Sequence, residues 1–461
     1  MVSILSTIKN EVKGNLSLSV PLIASQFIYA CSGFIGTVFI AKLGEDALAA
    51  SVLVSTIWMT LSVFFFGILN AVSILVSHRF GAKNHQAISE VMGQSYLIGI
   101  FLTLIMIVIL QSMPWFLHWT TQPLSVLTLS YQYMYALLWT IPGLIALIII
   151  QQFLAGINRG KLVLHISILV VPVEITLIYL LIFGKLGLPA YGVAGIGYGF
   201  ATTYSLTTIL LVIYLLKSKQ YQPFKICSGM IPIKLHYWKE IITIGLPMGF
   251  MHVIEVSTFT VATFWIARFG TTMLAAHQIV LQYLGLIITM VFGMSQAVTV
   301  RVGHAIGRQD LPAISYAAFV GMFLNSIFIV CIAIGFFLAP KFFLSIDINL
   351  SDPNNVELIR DASMLLIIGG VLLICDNIRI IGFGALRGLK DTRFPMYAAF
   401  IGFWMIGLVC AYLFGFILPF QGKGIWWGLT VGIASCALIV LARVWYMLSL
   451  VIQPDLGKTF S

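Results

Sequence analysis

The 461-residue chain has little charge: only 9% of its residues are Asp, Glu, Lys or Arg, and just 15 of them are acidic. Soluble domains carry about 25% charged and roughly 45 to 50% apolar residues. Here 60% of the residues are apolar. So few charged side chains cannot cover a surface that faces water, which excludes an ordinary soluble enzyme and indicates a membrane protein.

The chain also lacks the short motifs that bind metals or position a nucleophile. Its six cysteines are scattered with no CxxC spacing, and there is no HExxH motif and no GxSxG motif with an aligned His and Asp. We therefore predict that the protein has no cofactor and is not an enzyme. A membrane-embedded transferase or protease stays open as an alternative function.

Long apolar stretches take the place of these motifs. About 20 apolar residues in a helix cross a hydrocarbon core of about 30 Å. Twelve such spans are predicted, at 16–41, 47–77, 91–112, 130–154, 163–183, 192–216, 239–267, 273–300, 314–338, 362–386, 395–418 and 424–450. The predicted fold is an all-α integral membrane protein whose twelve transmembrane helices form two pseudo-symmetric six-helix lobes.

An internal repeat supports the two lobes. At a constant offset of 226 residues, Ile40-Ala41-Lys42 matches Ile266-Ala267-Arg268 and Leu48-Ala49-Ala50 matches Leu274-Ala275-Ala276. The other matched pairs are Pro21 with Pro247, Gly44 with Gly270, Phe66-Gly67 with Phe292-Gly293, Ala71-Val72 with Ala297-Val298, His78 with His304 and Gly81 with Gly307. Duplicated bundles that rock about a central site are typical of membrane carriers, so transport is the first functional hypothesis.

A basic segment separates the two copies. Residues 217–239 hold five lysines and two prolines, which is too polar to span, so we predict an N-terminal lobe over 1–216, a cytoplasmic linker over 217–239 and a C-terminal lobe with a short cytoplasmic tail over 240–461. Eighteen of the 25 Lys and Arg residues fall on the side that holds both termini. The positive-inside rule places that side in the cytoplasm. The net charge of +10 thus reflects membrane orientation, and no nucleic-acid partner is predicted.

Three motifs in order resemble a known family. They are Leu274-Ala275-Ala276-His277-Gln278, then 300–307 (VRVGHAIG), then 386–393 (LRGLKDTR). Together with the span count and the repeat, they are similar to the NorM branch of the multidrug and toxic compound extrusion (MATE) family over essentially the whole chain. The resemblance implies two six-helix lobes around a central cleft. It also implies a secondary active exporter, an antiporter of organic and often cationic compounds, driven by an H⁺ or Na⁺ gradient through alternating access.

Acidic residues at membrane depth are the first candidates for coupling, because an intramembrane carboxylate is costly unless it is paired or protonated. Three of the 15 acidic residues lie there: Glu174, Glu255 and Asp376. Glu255 follows Pro247 by eight residues, where the NorM branch carries its membrane glutamate. A carboxylate in an apolar cleft can exchange a proton for a ligand, so Glu255 is the leading coupling candidate.

Asp376 matches the second acidic position of that branch, but its surroundings depart from the family pattern. Arg379 follows it at i+3, close enough for an ion pair on a helix, and Leu372 stands where the branch has a tyrosine. Na⁺ at Glu255 and Asp376 stays possible, although Arg379 competes for the second carboxylate. A purely structural salt bridge is the alternative role for the pair.

Glu174 lies two residues after Pro172 in the fifth span. Many family members carry an aspartate in the first span, where this chain has Gly36, so we predict that Glu174 replaces that acidic group. A buried, hydrogen-bonded structural residue is the alternative. The predicted cavity-lining residues are Arg379, His252, His277, Gln278, Gln282, Tyr283, Gln296, Tyr29 and Asn70.

Partners and location follow from the same features. We predict a monomer in the lipid bilayer of a bacterial inner membrane that binds a small organic substrate. A lipid-linked oligosaccharide flippase shares the duplicated architecture and remains an alternative function. Such carriers usually line their cavity with several arginines, whereas only Arg379 lies deep in a predicted span.

Overall fold

The computed structural model describes residues 2–117 and 122–452, and these residues form helices joined by turns, with no β-strand among them. The helices of the first copy are α1 (Val2–Ala41), α2 (Glu45–Gly81), α3 (His85–Leu117), α4 (Leu124–Gly156), α5 (Gly160–Phe183) and α6 (Ala194–Lys217). Those of the second copy are α7 (Leu235–Ile266), α8 (Thr271–Gly307), α9 (Leu311–Leu338), α10 (Pro340–Leu344), α11 (Val356–Gly388), α12 (Arg393–Ala399), α13 (Val409–Tyr412) and α14 (Gln421–Ile452).

Twelve helical segments of the described chain are long and apolar enough to cross a membrane. The predicted all-α membrane fold is therefore confirmed. One segment, Arg393–Ile417, is continuous but wound partly as π-helix, over Phe400–Leu408 and Leu413–Ile417. The predicted tail beyond residue 452 lies outside the described residues.

The repeat is visible in the helix ends. Helices α2 and α8 each contain 37 residues, and both their first and their last residues differ by the repeat offset. Gly44 and Gly270 precede these helices with φ of 107° and 105°. Residues other than glycine rarely adopt this backbone conformation. The same turn therefore starts both helices, which explains why the repeat keeps both glycines.

The described chain divides into two compact units. The N-unit is Ala24–Gly249, and the C-unit is Met1–Ile23 together with Phe250–Ser461. Helices α1 and α7 each contribute to both units, and the two division points lie two residues after Pro21 and Pro247. The lobe boundaries drawn from the sequence, 1–216 and 240–461, remain predictions.

Helix α4 packs between α2 and α6 in the N-unit. Gly197 on α6 makes this approach close, because a Cβ there would lie 2.6 Å from the Cβ of Ala136. The Thr140 hydroxyl donates to the Gly197 carbonyl at 2.9 Å. Small residues with interhelical hydrogen bonds are typical of packing between membrane helices.

Helix α11 packs against α8, α9 and α14 in the C-unit. Gly384 allows α8 to approach, and the hydroxyls of Ser295 and Thr299 on α8 donate to the carbonyls of Ile380 at 2.7 Å and Gly384 at 2.8 Å. The N-terminal part of α1 joins this unit through Arg301, whose Nη2 lies 2.6 Å from Glu11 Oε2. Helix α1 begins at Val2, well before the predicted start of the first span at residue 16, and this extension includes the buried, paired Glu11.

Candidate functional site

Glu255 on α7 meets Asp376 and Arg379 on α11 inside the C-unit. Arg379 Nε donates to Asp376 Oδ1 at 2.6 Å, and Arg379 Nη2 donates to Glu255 Oε1 at 2.8 Å. The side chain of Arg379 is 0% exposed, that of Asp376 3% and that of Glu255 11%. The predicted pair of Asp376 with Arg379 is confirmed, and the same guanidinium also bridges to Glu255, which the sequence did not indicate.

Two aromatic rings flank this guanidinium. Its Cζ lies 5.2 Å from the ring centroid of Phe383 and 4.9 Å from that of Phe403. Phe383 follows Arg379 by four residues and therefore shares its face of α11. Phe403 comes from the π-helical segment Phe400–Leu408, and local π turns are frequent at functional sites. Arg379 is thus held by two carboxylates and two rings.

Glycines let the π-helical segment approach α14 closely. A Cβ at Gly402 would lie 3.0 Å from the carbonyl oxygen of Gly432, and Gly407 lies against the same stretch of α14. A larger side chain at Gly402 would push the segment outward. The small residues therefore hold Phe403 where it can cover Arg379.

A second buried arginine lies two turns further along α11. Arg387 is 4% exposed and donates from Nε to the Phe383 carbonyl at 3.2 Å and from Nη2 to Ser295 Oγ at 3.4 Å. It lies within electrostatic range of Glu255 and Arg379. The cluster therefore holds two carboxylates and two guanidiniums, which balance in charge when all four are ionised.

Several polar atoms of the cluster have no hydrogen-bond partner among the described residues. They are Glu255 Oε2, Arg379 Nη1 and His252 Nε2. His252 lies one turn before Glu255 and packs edge-on against Phe292, with ring centroids 5.6 Å apart. A buried polar atom without a partner costs about 1 to 3 kcal/mol. The cluster can therefore gain from a further polar ligand, whether a proton, a water or part of a substrate.

The fit to Na⁺ is poor in this arrangement. Hard cations are held by several oxygen ligands, and Arg379 already bonds one oxygen of each carboxylate. No group of three His, Cys, Asp or Glu side chains arranged to hold a metal occurs among the described residues. Na⁺ at Glu255 and Asp376 would therefore have to share both carboxylates with the guanidinium.

Glu174 on α5 lies inside the N-unit, 1% exposed. The Ser32 hydroxyl on α1 donates to Glu174 Oε1, while Glu174 Oε2 has no partner among the described residues. The phenols of Tyr29 and Tyr204 lie within electrostatic range of this carboxylate. Among the residues that the structure describes, the groups around Glu174 are thus hydroxyls rather than a cation.

Two further predicted cavity residues belong to the N-unit. Tyr29, the repeat counterpart of Glu255, accepts a hydrogen bond from Gln151 Nε2 at 3.1 Å. Asn70 on α2 is 3% exposed, and its Oδ1 has no partner among the described residues. Tyr29 thus joins the Glu174 group, and the role of Asn70 in a cavity stays a prediction.

His277 is placed in a closed hydrogen-bond chain. The indole N–H of Trp426 donates to its Nδ1 at 3.1 Å, so its other nitrogen carries the proton and donates to Thr263 Oγ1 at 2.9 Å. Thr263 in turn donates to the Phe259 carbonyl at 2.9 Å. Both ring nitrogens are engaged, so His277 ties α7, α8 and α14 together, and its place in the substrate cavity stays a prediction.

The remaining predicted residues lie along α8. The Tyr283 hydroxyl bonds the Phe343 carbonyl at 2.9 Å and Asp347 Oδ2 at 2.6 Å, so it anchors the loop after α10 rather than the Glu255 cluster. Gln278 and Gln282 are exposed and Gln296 is half-buried. A role of these three glutamines in a cavity stays a prediction.

Sequence reasoning missed several members of the two clusters. Arg387 lies one residue past the predicted end of its span at residue 386, although its spacing of eight residues from Arg379 places both on one face of a helix. Ser32 gives no distinctive signal in an apolar helix. Phe403 could not be singled out among 33 phenylalanines.

Comparison with known proteins gives concordant results. The MatE family model matches residues 21–180 and 247–413, which correspond to the two copies of the repeat. A probable multidrug resistance protein NorM of Synechocystis sp. is 30% identical over 94% of both chains. The multidrug resistance protein MdtK of Photorhabdus laumondii is 27% identical over 94% of this chain and 95% of its own.

Solved structures agree on the fold. An outward-facing MATE family transporter of the MOP superfamily superposes with a TM-score of 0.85, at 17% identity and 96% coverage of both chains. A MATE structure in the bent conformation gives 0.86, at 17% identity, covering 99% of this chain and 98% of its own. At such identities these likenesses concern the fold alone.

Proposed function

The chain belongs to the MatE family of multidrug transporters, and we propose that it exports organic cations in exchange for protons through alternating access, with Glu255 as the group that exchanges the proton. Family membership makes it an efflux transporter of the membrane and not an enzyme. The coupling ion and the substrate class are the proposed parts. The observation that carries them is the position of Arg379 between Glu255 and Asp376.

Arg379, a substrate cation and a proton would all compete for the carboxylate of Glu255. Ionised Glu255 pairs with Arg379, whereas a protonated Glu255 leaves Arg379 with Asp376 alone. An organic cation that binds Glu255 must displace the guanidinium of Arg379. A proton on Glu255 removes the negative charge that binds either cation. Proton and substrate therefore exclude each other, which is the condition for antiport.

Aromatic rings support the proposed substrate class. Phe383 and Phe403 already hold a delocalised cation over their faces. Such faces attract organic cations that are too large and too weakly hydrated to need an oxygen cage. Na⁺ is smaller and more strongly hydrated, and the resident arginine already bonds one oxygen of each carboxylate.

Glu174 is proposed as a second protonatable group. It is buried, it has an unpartnered oxygen, and no cation is bonded to it among the described residues.

We also propose that the protein works as a monomer in a bacterial inner membrane, with both termini in the cytoplasm.

A lipid-linked oligosaccharide flippase is the second candidate function, and Arg387 is the observation that favours it. With Arg379 it makes two buried guanidiniums, which is more than the sequence indicated. Both guanidiniums already have partners, however. Arg379 is bonded to two carboxylates, and Arg387 to Ser295 and the Phe383 carbonyl. Efflux of ethidium from cells that express the protein separates the two, since a flippase would leave ethidium inside.

The coupling ion is tested in proteoliposomes with H⁺ and Na⁺ gradients imposed separately. Ethidium efflux is expected to follow the imposed pH gradient and to persist when K⁺ replaces all Na⁺. Glu255→Gln keeps the shape and removes the charge, so coupled efflux should be lost while the protein still purifies as a folded monomer. Glu357→Gln changes an exposed carboxylate of α11 in the same way and should transport normally.

Either of two results would contradict the proposal. Efflux that requires Na⁺ at fixed pH would make the carboxylates Na⁺ ligands in spite of Arg379. Normal efflux by Glu255→Gln would remove Glu255 from the coupling step altogether.

A further inference from the structure

The linker between the two copies is strongly basic. Residues 217–239 contain five lysines and no Asp or Glu. Four of the lysines have exposed side chains, namely Lys217, Lys219, Lys225 and Lys239. The segment joins the end of α6 to the start of α7 and therefore lies where two membrane spans end. Each Lys near an acidic membrane surface contributes about 1 kcal/mol of attraction.

The same linker exposes large apolar side chains. Ile231 is 86% exposed, Ile233 62% and Leu235 74%. Exposed apolar groups that cluster beside cationic groups mark a surface for a partner that is itself part apolar and part anionic.

The linker is fixed in place rather than loosely attached. Gln94 of α3 is fully buried, and its Nε2 donates to the carbonyls of Gly229 at 2.9 Å and Pro232 at 3.1 Å. Its Oε1 accepts from the Lys234 amide and from Trp238 Nε1, each at 3.1 Å. The surface made by the lysines and isoleucines is therefore formed before any partner binds.

A cavity of about 450 Å³ opens between this linker and the start of α3. Lys225 and Lys234 supply ammonium groups to its lining, and Ser89 and Ser228, whose hydroxyls both donate to the Lys225 carbonyl, lie beside them. Glu90 also lines it but is bonded to Lys234 at 2.7 Å and accepts from the Tyr237 hydroxyl at 3.0 Å. Ile231, the most exposed of the three apolar side chains, lies on its rim.

We propose that the linker is a binding site for acidic phospholipids, with the lipid phosphate in this cavity against Lys225 and with Ile231 and Ile233 among the acyl chains. Ammonium groups bind phosphate oxygens, and the exposed lysines of the linker attract the negative charge of the headgroup. A free phosphate ion would use the cavity but not the isoleucines. The isoleucines therefore identify a lipid as the occupant.

Native mass spectrometry of the full-length protein in an uncharged detergent tests this proposal. Short-chain phosphatidylglycerol is the probe, and phosphatidylcholine of equal chain length is the zwitterionic comparison, whose headgroup has no net charge. We expect phosphatidylglycerol to be retained preferentially and to be released by 0.5 M NaCl, because salt screens exposed charges. This salt test uses the unaltered protein and does not depend on the folding of any variant.

Charge variants locate the site. Changing Lys217, Lys219, Lys225 and Lys239 together to Gln should weaken phosphatidylglycerol binding by roughly tenfold or more. The matched control removes four exposed cationic side chains elsewhere, at Lys42, Lys185, Arg268 and Lys341. The control should bind the lipid within about twofold of the unaltered protein, since its charges lie outside the linker.

Apolar variants distinguish the lipid from free phosphate. Ile231→Ser with Ile233→Ser should also weaken lipid binding, whereas Leu186→Ser with Leu188→Ser, in another exposed turn, should not. Equal retention of phosphatidylcholine, equal losses in variant and control, or displacement of the lipid by millimolar inorganic phosphate would each overturn the proposal. None of these measurements involves transport, so the result is independent of the proton-exchange mechanism.

Discussion

The buried carboxylates Glu255 and Glu174, one in each unit, have different kinds of partner. In the C-unit, Glu255 shares the guanidinium of Arg379 with Asp376. In the N-unit, Glu174 accepts a hydrogen bond from the Ser32 hydroxyl and lies near tyrosine phenols. The repeat places Tyr29 at the position that Glu255 occupies in the other copy. One duplicated backbone thus carries an ion-paired site in one copy and a hydroxyl-bonded site in the other.

The difference separates what the backbone determines from what individual side chains determine. Helices α2 and α8 keep the same length and the same glycine turn after duplication. The charged groups did not stay matched, since Glu255 corresponds to a tyrosine. A permanent cation can hold a carboxylate ionised, whereas a hydroxyl bonds either protonation state. The two sites should therefore respond differently when one partner is removed.

The largest expected loss of stability comes from replacing Arg379. Arg379→Met leaves two buried carboxylates without their cation, and breaking a buried pair in this way costs about 3 to 5 kcal/mol. Thermal unfolding of the purified variant should show this as a large loss of stability. The triple change Glu255→Gln, Asp376→Asn and Arg379→Met should recover much of it, because neither carboxylate is then left without its cation and Arg387 keeps its hydrogen bonds to Ser295 and the Phe383 carbonyl.

A partly exposed pair provides the control for that experiment. Arg443 Nε lies 2.8 Å from Asp391 Oδ2, with side chains 29% and 12% exposed. Arg443→Met should cost no more than about 1 kcal/mol, as pairs near the surface do. If the losses of the single changes at the buried cluster simply added up in the triple variant, the three residues would not be coupled.

Much of the fold followed from the sequence, but less of the site did. Runs of about 20 apolar residues identify helices because the bilayer sets their length, and the i, i+3 spacing gave the pair of Asp376 with Arg379. The contact of Arg379 with Glu255 joins residues 124 positions apart, so local spacing could not reveal it. Ser32 beside Glu174 depends on the packing of α1 against α5 in the same way.

The ring of Phe403 tests how far Arg379 depends on its surroundings. Phe403→Leu keeps an apolar side chain but removes a ring face 4.9 Å from the guanidinium. A desolvated cation–π contact contributes up to about 2 kcal/mol, so the loss of stability should lie near 1 to 2 kcal/mol. Phe400→Leu, on the exposed side of the same segment where the ring stacks on Trp404, should change stability much less. A loss no larger than that of Phe400→Leu would show that the Phe403 ring does not stabilise Arg379.

The smallest expected change in stability comes from replacing Glu174. This replacement also gives the sharpest test of the contrast between the two units. Glu174→Gln retains an oxygen that can accept from the Ser32 hydroxyl, and no cation is left without a partner. The free energy of unfolding should therefore change by less than about 1 kcal/mol, the typical net contribution of one hydrogen bond. Proton-driven efflux should fall nevertheless, because the amide cannot take up a proton. A loss of stability as large as that of Arg379→Met would mean that Glu174, too, is balanced by a cation, and the two copies would then use the same chemistry after all.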